Sequence, residues 1–267
     1  MASSWITGLI TGLADAGVDV RNADLLIGTS SGARVALQLA SGTPLEEVFA
    51  QQIAAAPHVG RQSAAVDWGW LQREVARAKE LGGDRAEILR RMGQLALALG
   101  GPDRRALVAT QLPIEQWPER PVRLIALNAE TGLRRVFDKA SGIDLVDAVM
   151  ATTASFGTAP VWFEGQPYID GGYYSGDNAD LAAGYRRVLV LTLYAPPWAM
   201  RLVPLEDGIT ELRASGAEVE LIQPDEEAMK AIVAAGSPAN PAVFKPVTRA
   251  GRAQGRRVVA QRGTGWW

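Results

Sequence analysis

The residues Gly28-Thr29-Ser30-Ser31-Gly32 carry the clearest chemical signal in this chain. A G-x-S-x-G pattern places a serine on a sharp turn between a strand and a helix, where its hydroxyl can attack a carbonyl carbon. The required context is present, since a strand-like run (23–27) precedes the turn and a helix-like run (33–40) follows it. We expect side chains at positions 28 and 32 to collide with the neighbouring strand or helix. The alternative is an ordinary turn in which Ser30 caps the helix.

A serine hydroxyl needs a partner that removes its proton before it becomes a good nucleophile. The usual partner is histidine, and the chain has a single one, His58. It precedes most candidate acids, which does not fit the order Ser, acid, His of the α/β-hydrolases. Its neighbours are small or apolar, so we interpret His58 as a loop or surface residue and not as a catalytic base.

Asp170 is the carboxylate that we single out as the partner of Ser30. Gly171 and Gly172 follow it, and two glycines let the backbone turn tightly and approach another segment closely. Burial beside Ser30 would make this carboxylate a stronger base than an ordinary aspartate. The alternative is a type I′ turn, for which Asp-Gly is a common signal, and spacing alone favours that turn.

Together these residues resemble the patatin-like phospholipases, a family of serine acyl hydrolases with a Ser-Asp dyad and no catalytic histidine. The stretch 28–33 resembles the Gly-Thr-Ser-Ala-Gly-Ala elbow of the family, and 170–172 resembles its Asp-Gly-Gly motif. Further matching stretches are 13–17, 128–132, 147–151 and 178–181, with a weaker match at 250–255. The resemblance extends from about residue 5 to 193.

The resemblance implies that Ser30 is the nucleophile, that Asp170 is the base, and that hydrolysis of a lipid or other acyl ester proceeds through an acyl-enzyme. The backbone N–H of Ser31, within the elbow shaped by Gly28 and Gly32, would donate to the oxyanion. No cofactor and no metal ion are expected.

The loop after Asp170 contains the remaining residues that the resemblance marks. Gly171 and Gly172 complete the Asp-Gly-Gly motif, and Asn178 would steady the loop. For Asn178 a plain turn or capping role is the alternative, and the sequence favours it.

One feature of the family is not visible in this sequence. Its members normally open with a strand and a glycine-rich loop that supplies most of the oxyanion hole, and no glycine-rich segment precedes Gly8. We therefore expect a gap or an unpaired strand edge in the sheet, and slow ester hydrolysis by this chain. The same departure supports a second hypothesis, a catalytically impaired relative that binds lipid or a partner.

The elements that must position these residues alternate between strands and helices. This pattern predicts an α/β fold with three layers, α/β/α, around a mostly parallel central sheet. The predicted strands are 23–27, 122–127, 134–137, 168–169, 187–193 and 219–222, and the predicted helices include 5–16, 33–40, 68–81, 85–99, 144–153, 225–235 and 248–262. We expect a single domain over 1–267 with a helical insert at about 43–112.

Apolar residues in the insert leave two interpretations open. Trp68, Trp70, Leu95, Leu97 and Leu99 could line an acyl pocket or make transient contact with a membrane surface. Ordinary helix packing is the favoured interpretation, because apolar helical stripes usually face a core. The arginines between 249 and 262 similarly fit either anionic headgroups or a solvated helix face.

Composition narrows the class of protein. The net charge of −2 gives no electrostatic case for binding nucleic acid, and the absence of cysteine excludes disulfides and thiolate metal sites. No apolar run is long enough to span a membrane, and the first residues do not resemble a secretory signal. We therefore expect a cytoplasmic protein, and the sequence does not indicate its oligomeric state.

Overall fold

The computed structural model describes residues 1–54, 64–194, 201–235 and 244–265. The strands are β1 Leu26–Thr29, β2 Val122–Asn128, β3 Arg134–Phe137, β4 Val161–Phe163, β5 Gln166–Asp170, β6 Arg187–Leu191 and β7 Glu218–Ile222. The helices are α1 Ala2–Asp15, α2 Ser31–Ala40, α3 Leu45–Ala54, α4 Trp68–Glu80, α5 Arg85–Leu99, α6 Arg105–Gln111, α7 Leu145–Thr152, α8 Leu205–Ala214, α9 Glu226–Ala235 and α10 Phe244–Arg262.

The strands form two sheets. In the larger sheet the order is β1-β2-β5-β4, with β3 also paired to β2, while β6 and β7 form a sheet of their own. The prediction of an α/β fold is confirmed, but the prediction of a mostly parallel sheet is wrong. Only β1–β2 and β6–β7 are parallel pairs. The β2–β3, β2–β5 and β4–β5 pairs are antiparallel.

Short connections explain two of the three antiparallel pairs. The strands β2 and β3 are joined by the turn at 129–133, and β4 and β5 by Glu164 and Gly165, both with positive φ. A connection this short can join only antiparallel neighbours, since parallel strands need a crossover of a dozen or more residues. By contrast, α2 and the helices up to α6 lie between β1 and β2, which are parallel.

Helices cover both faces of the sheets. Leu124 and Ala126 of β2 pack with α2 and α7 on one face, while Leu127 packs with α4 and α5 on the other. The alternation along β2 follows from the period of two in a strand and explains its nearly continuous apolar sequence. The three-layer arrangement is therefore observed as expected.

The edge of β1 that faces away from β2 has no strand paired to it in the described part of the chain. The expected interruption of the sheet is therefore present. A cavity of about 530 Å³ lies between this edge and β6.

The helices α4 and α5 pack against the sheet through apolar residues. Trp70, Leu95, Leu97 and Leu99 are partly buried against a core that includes Ile169 of β5. These four side chains therefore lie where the interpretation of ordinary helix packing predicts them. Trp68 is 56% exposed and does not contribute to that core.

Four of the five arginines of α10 are paired with acidic residues. Arg252 contacts Asp15 and Glu46, Arg256 also contacts Asp15, and Arg257 contacts Asp225. Their charges are thus largely balanced within the protein.

Candidate active site

Ser30 lies in a strained conformation between β1 and α2. Its φ of 53° and ψ of −122° are unusual for a residue with a side chain. Strain of this kind persists only where the surrounding structure enforces it, and it is common at active sites. Ser30 is the N-cap residue of α2, yet its side chain makes no capping hydrogen bond. The alternative of a helix-capping serine is therefore wrong.

The two glycines of the elbow differ in their surroundings. A Cβ atom on Gly28 would lie 2.6 Å from Cα of Ala33, so only glycine lets the helix pack this close to the strand. A Cβ atom on Gly32 would meet nothing within 4 Å. The expected collision is correct at position 28 and wrong at position 32, where the Cβ direction points into open space.

Thr152 anchors the turn from the opposite side. Its hydroxyl accepts a hydrogen bond from the backbone N–H of Ser30 at 3.0 Å and donates one to the carbonyl of Ile125 at 2.6 Å. Thr152 is fully buried at the carboxyl end of α7. One side chain thus ties the strained turn to the central strand β2.

The strand register places Asp170 near Ser30. Thr29 is paired with Ile125 of β2, so Ser30 comes level with Ala126 on one side of that strand. Asp170 is paired with Ala126 on that same side, because β3 pairs with the opposite side of β2 at both Leu124 and Ala126. The carboxyl ends of β1 and β5 therefore meet beside Ala126, which brings Ser30 and Asp170 together.

Asp170 is 7% exposed. Its Oδ1 accepts a hydrogen bond from the backbone N–H of Gly172 at 2.8 Å. Burial raises the pKa of the Asp170 carboxyl from 3.8 to about 6, against the lowering effect of the Gly172 N–H, the Ser30 side chain and the charge of Arg104. At neutral pH the carboxylate is mostly ionised, and its raised pKa makes it a better proton acceptor than an exposed aspartate.

The backbone after Asp170 does not form a type I′ turn. Such a turn requires positive φ at both central residues, which would be Asp170 and Gly171, and neither has it. Residues Gly171–Tyr173 instead form a 3₁₀ turn. A Cβ atom on Gly171 would lie 2.5 Å from the carbonyl oxygen of Ile125, so this glycine permits the close approach to β2 that the sequence predicts.

Asn178 connects the loop after Asp170 to the end of β1. Its amide donates hydrogen bonds to the Thr29 hydroxyl at 3.0 Å and to the Ser175 carbonyl at 2.7 Å. Its Oδ1 accepts from Arg134 at 3.1 Å. Asn178 is fully buried, has a φ of 50°, and makes no side-chain capping bond. These contacts join the loop after Asp170 to β1 and β3.

Arg104 is a buried cation close to the same site. It is 8% exposed and donates to the carbonyl and the hydroxyl of Thr153, next to Thr152. Burial lowers the pKa of its guanidinium, while the charges of Asp170 and Asp103 act in the opposite direction. Its Nε atom is buried without a hydrogen-bond partner among the described residues.

The structure thus brings together Ser30 and Asp170 with the residues of both motifs around them. The first turn of α2 begins at Ser31, where backbone N–H groups have no partner within the helix and can face a developing negative charge. His58 lies outside the described residues. Sequence reasoning did not find Thr152 or Arg104, because neither belongs to a pattern that signals chemistry.

Known proteins resemble this chain to different degrees. A search of curated proteins gives no match. Among solved structures, the type III effector protein ExoU is similar to this chain, with a TM-score of 0.40 and 11% sequence identity. The similarity covers 96% of this chain and 50% of the ExoU chain, so the chain spans half the length of that protein.

A family model supplies the assignment. The model for patatin-like phospholipases matches residues 2–183, a range that contains Ser30, Asp170 and Asn178. Because residues 2–183 make up most of the chain, the chain belongs to the patatin-like phospholipase family.

Proposed function

We propose that this protein is a serine acyl hydrolase that cleaves carboxylic esters of lipids with Ser30 as nucleophile and Asp170 as general base. One observation carries the proposal. Ser30 is held in a strained turn without capping its helix, and its side chain interacts with the buried carboxylate of Asp170. Family membership supports the class of substrate.

The reaction begins when Ser30 Oγ attacks the ester carbonyl carbon and its proton passes to the Asp170 carboxylate. The oxyanion forms beside the first turn of α2, where the N–H of Ser31 and the helix dipole stabilise negative charge. The carbon–oxygen bond to the alcohol then breaks, and the alcohol leaves with the proton from Asp170.

The second half of the reaction frees the enzyme. Water attacks the acyl group on Ser30 and gives a proton to Asp170. The bond to Ser30 Oγ breaks, the carboxylic acid leaves, and Oγ recovers its proton. Hydrolysis through this acyl-enzyme needs one residue to serve as base and acid in turn.

A fluorophosphonate probe tests the nucleophile. We expect the intact protein to be labelled, and Ser30→Ala to lose labelling because the probe forms a bond to Oγ. Asp170→Asn should slow labelling by about 10²-fold or more, since a neutral amide cannot take the proton. Ser41→Ala, at the other end of α2, is the matched serine control and should be labelled normally.

Three results would contradict the proposal. Labelling that persists in Ser30→Ala would place the nucleophile elsewhere. No labelling of the folded, intact chain would favour the second hypothesis, a relative that binds lipid or a partner without catalysis. His58→Ala should leave labelling unchanged, and a large loss would point to a triad instead of a dyad.

A further inference from the structure

Arg34 is a half-buried cation of α2 that no acidic residue neutralises in the described part of the chain. It donates from Nη2 to the backbone carbonyl of Gln111, the last residue of α6, at 3.0 Å. Burial lowers the pKa of the Arg34 guanidinium, and no carboxylate of the described residues acts in the opposite direction. By contrast, the buried Arg104 has both Asp170 and Asp103 nearby. A buried cation is costly without an anionic partner, so this part of the molecule lacks a negative charge.

The side chain of Gln111 adds a second group without an acceptor. Its Nε2 atom is buried and has no hydrogen-bond partner among the described residues. The bond from Arg34 to the Gln111 carbonyl keeps this amide within one side-chain length of the guanidinium. A guanidinium has five N–H donors, and capping the end of α6 uses one of them. The two neighbouring side chains therefore present donors, one group of them charged, that no acceptor of the described residues satisfies.

An open face of α2 connects this pair of side chains with the proposed nucleophile. Ser31 directly follows Ser30, is exposed, and its hydroxyl makes no hydrogen bond to the described residues. Arg34 lies three residues further along, so Ser31 and Arg34 are neighbours on one face of the helix. One helical turn rises about 5.4 Å, which is short enough for one small ligand to reach both Ser30 and Arg34.

The free donors match a phosphate group better than a carboxylate. A guanidinium binds either anion through a fork of two parallel hydrogen bonds. A carboxylate has only two oxygens, and the fork occupies both of them. A phosphate has a further oxygen, which can accept from the amide of Gln111. Arg34 and Gln111 together can therefore satisfy more of their donors on a phosphate.

We propose that Arg34 and Gln111 form a binding site for a phosphate group beside the turn that holds Ser30. The phosphate belongs either to an acyl ester bound for hydrolysis, an assignment that rests on the proposed function, or to a free phosphate compound. In a glycerophospholipid a short glycerol link separates the phosphate from the nearest ester carbonyl, so a phosphate at Arg34 would leave that carbonyl near Ser30. The site lies outside both sequence motifs and would select phosphate-bearing esters over neutral ones.

Stabilisation of the full chain by ligands tests the site without any hydrolysis. The ligands are glycerol 3-phosphate, inorganic phosphate, acetate and glycerol, and thermal unfolding at rising ligand concentration gives each Kd. We expect both phosphates to bind, and Arg34→Gln to weaken their binding by about tenfold or more, since a charge-assisted pair is lost. Acetate should bind more weakly than phosphate, and glycerol should have no effect. Arg120→Gln is the matched control and should behave like the parent, because Arg120 also donates to a carbonyl of α2, that of Leu39, but has Asp19 nearby.

A second variant supplies the missing acceptor from the chain itself. Gln111→Glu places a carboxylate beside Arg34, so we expect it to raise the unfolding temperature without ligand and to lose phosphate binding. Phosphate binding by Arg34→Gln or Gln111→Glu that equals binding by the parent would overturn the proposal. It would also be overturned if the folded parent bound neither phosphate, or bound acetate as tightly as phosphate.

The source of the phosphate follows from two comparisons. Tighter binding of glycerol 3-phosphate than of inorganic phosphate assigns the site to an ester headgroup, and the reverse order assigns it to a free phosphate. For a headgroup site, Arg34→Gln should lower kcat/KM for a phospholipid by about tenfold or more relative to a neutral diacylglycerol in the same micelles. An unchanged ratio would overturn the assignment to an ester. Phosphate binding by a chain that no fluorophosphonate labels would support this site while contradicting the proposed function.

Discussion

At the scale of single residues, the burial of Asp170 acts on activity and stability in opposite directions. Burial raises the pKa of its carboxyl from 3.8 to about 6. The folded protein therefore holds this proton more tightly than the unfolded chain does. The stability that results is complete below about pH 3.8 and is lost as the pH rises through 6. At neutral pH the protein keeps a buried charge that favours proton transfer and disfavours folding.

Asp170→Asn should therefore inactivate the protein and stabilise it at the same time. From the pKa values of 3.8 and 6, we expect its free energy of unfolding at pH 7.5 to exceed that of the parent by up to about 3 kcal/mol. The gain should shrink as the pH falls toward 4. Chemical denaturation at several pH values measures it, with the exposed Asp24→Asn as control. A gain that does not change with pH would contradict the assigned titration.

Arg104 should contribute to the pH below which the proposed base fails. Burial raises the pKa of Asp170, and the Gly172 N–H, the Ser30 side chain and, as the smallest of these effects, the charge of Arg104 lower it. The carboxyl of Asp170 also faces Tyr173, whose phenol has a pKa raised by burial and by Asp170. Removing the positive charge leaves burial less opposed, so Asp170 should hold its proton to a higher pH.

The rate at which the probe labels Ser30 should fall at low pH, with a midpoint at about pH 6. We expect Arg104→Gln to move this midpoint to a higher pH. Arg104→Lys keeps the charge and should leave the midpoint near its original position. Arg105→Gln removes an exposed arginine next in sequence, which pairs with Asp144 and Asp147, and serves as control. If the midpoint lies at the same pH in Arg104→Gln and in Arg105→Gln, Arg104 only supports the structure.

At the scale of elements, the carboxyl end of α7 gathers the parts of the site. Thr152 holds the Ser30 N–H, Thr153 accepts from Arg104, and the carbonyl of Ala154 accepts from the Asp170 N–H at 3.0 Å. Three successive residues thus fix the proposed nucleophile, its base and a nearby cation relative to one another. The helix begins at a well-defined place, because the Asp144 side chain accepts from the N–H of Val146 at 2.8 Å.

Thr152→Val should loosen this arrangement without changing the size of the side chain. The Ser30 N–H and the Ile125 carbonyl would each lose a buried partner, at a cost of about 1–3 kcal/mol in stability. We expect kcat for a soluble ester to fall more than KM changes, because the displaced group is the proposed nucleophile. Thr152→Ser restores the hydroxyl and should recover most of kcat. Loss of stability with unchanged kcat would show that Thr152 does not position Ser30.

The elements themselves were predictable to different degrees. Strand β3 and helix α5 match their predicted bounds, because strong patterns and turn residues mark their ends. Strand β4 has three residues, too few to show alternation, and helix α8 contains Gly208 in its middle, so neither was predicted. For the site, sequence patterns singled out Ser30 and Asp170, but the contacts of Thr152 depend on strand register, which no local pattern shows.

At the scale of the whole molecule, helices from opposite ends of the sequence pack against each other. Trp5 of α1 is fully buried, and its ring N–H donates to Oε1 of Gln254 in α10 at 2.8 Å. Glycines let the two backbones come close, since a Cβ atom on Gly8 would collide with the carbonyl of Thr248. This pair of helices, α1 and α10, covers one face of the layer that contains β1 and β6.

Within residues 1–54, 64–194, 201–235 and 244–265, no helix is long and apolar enough to cross a lipid bilayer.

Gly8→Val should therefore destabilise the entire protein and not only its first helix. The added side chain meets backbone atoms of α10, which cannot move aside as a flexible side chain could, so we expect a loss of about 3 kcal/mol or more. Gly69→Val in the exposed first turn of α4 is the matched control, since a Cβ atom there has only ordinary contacts. Denaturant melts followed by circular dichroism and by tryptophan fluorescence should shift together for Gly8→Val. A loss no larger than that of Gly69→Val would mean that α1 and α10 are not in backbone contact. A shift in fluorescence alone would mean that this helix pair unfolds separately from the sheets it covers.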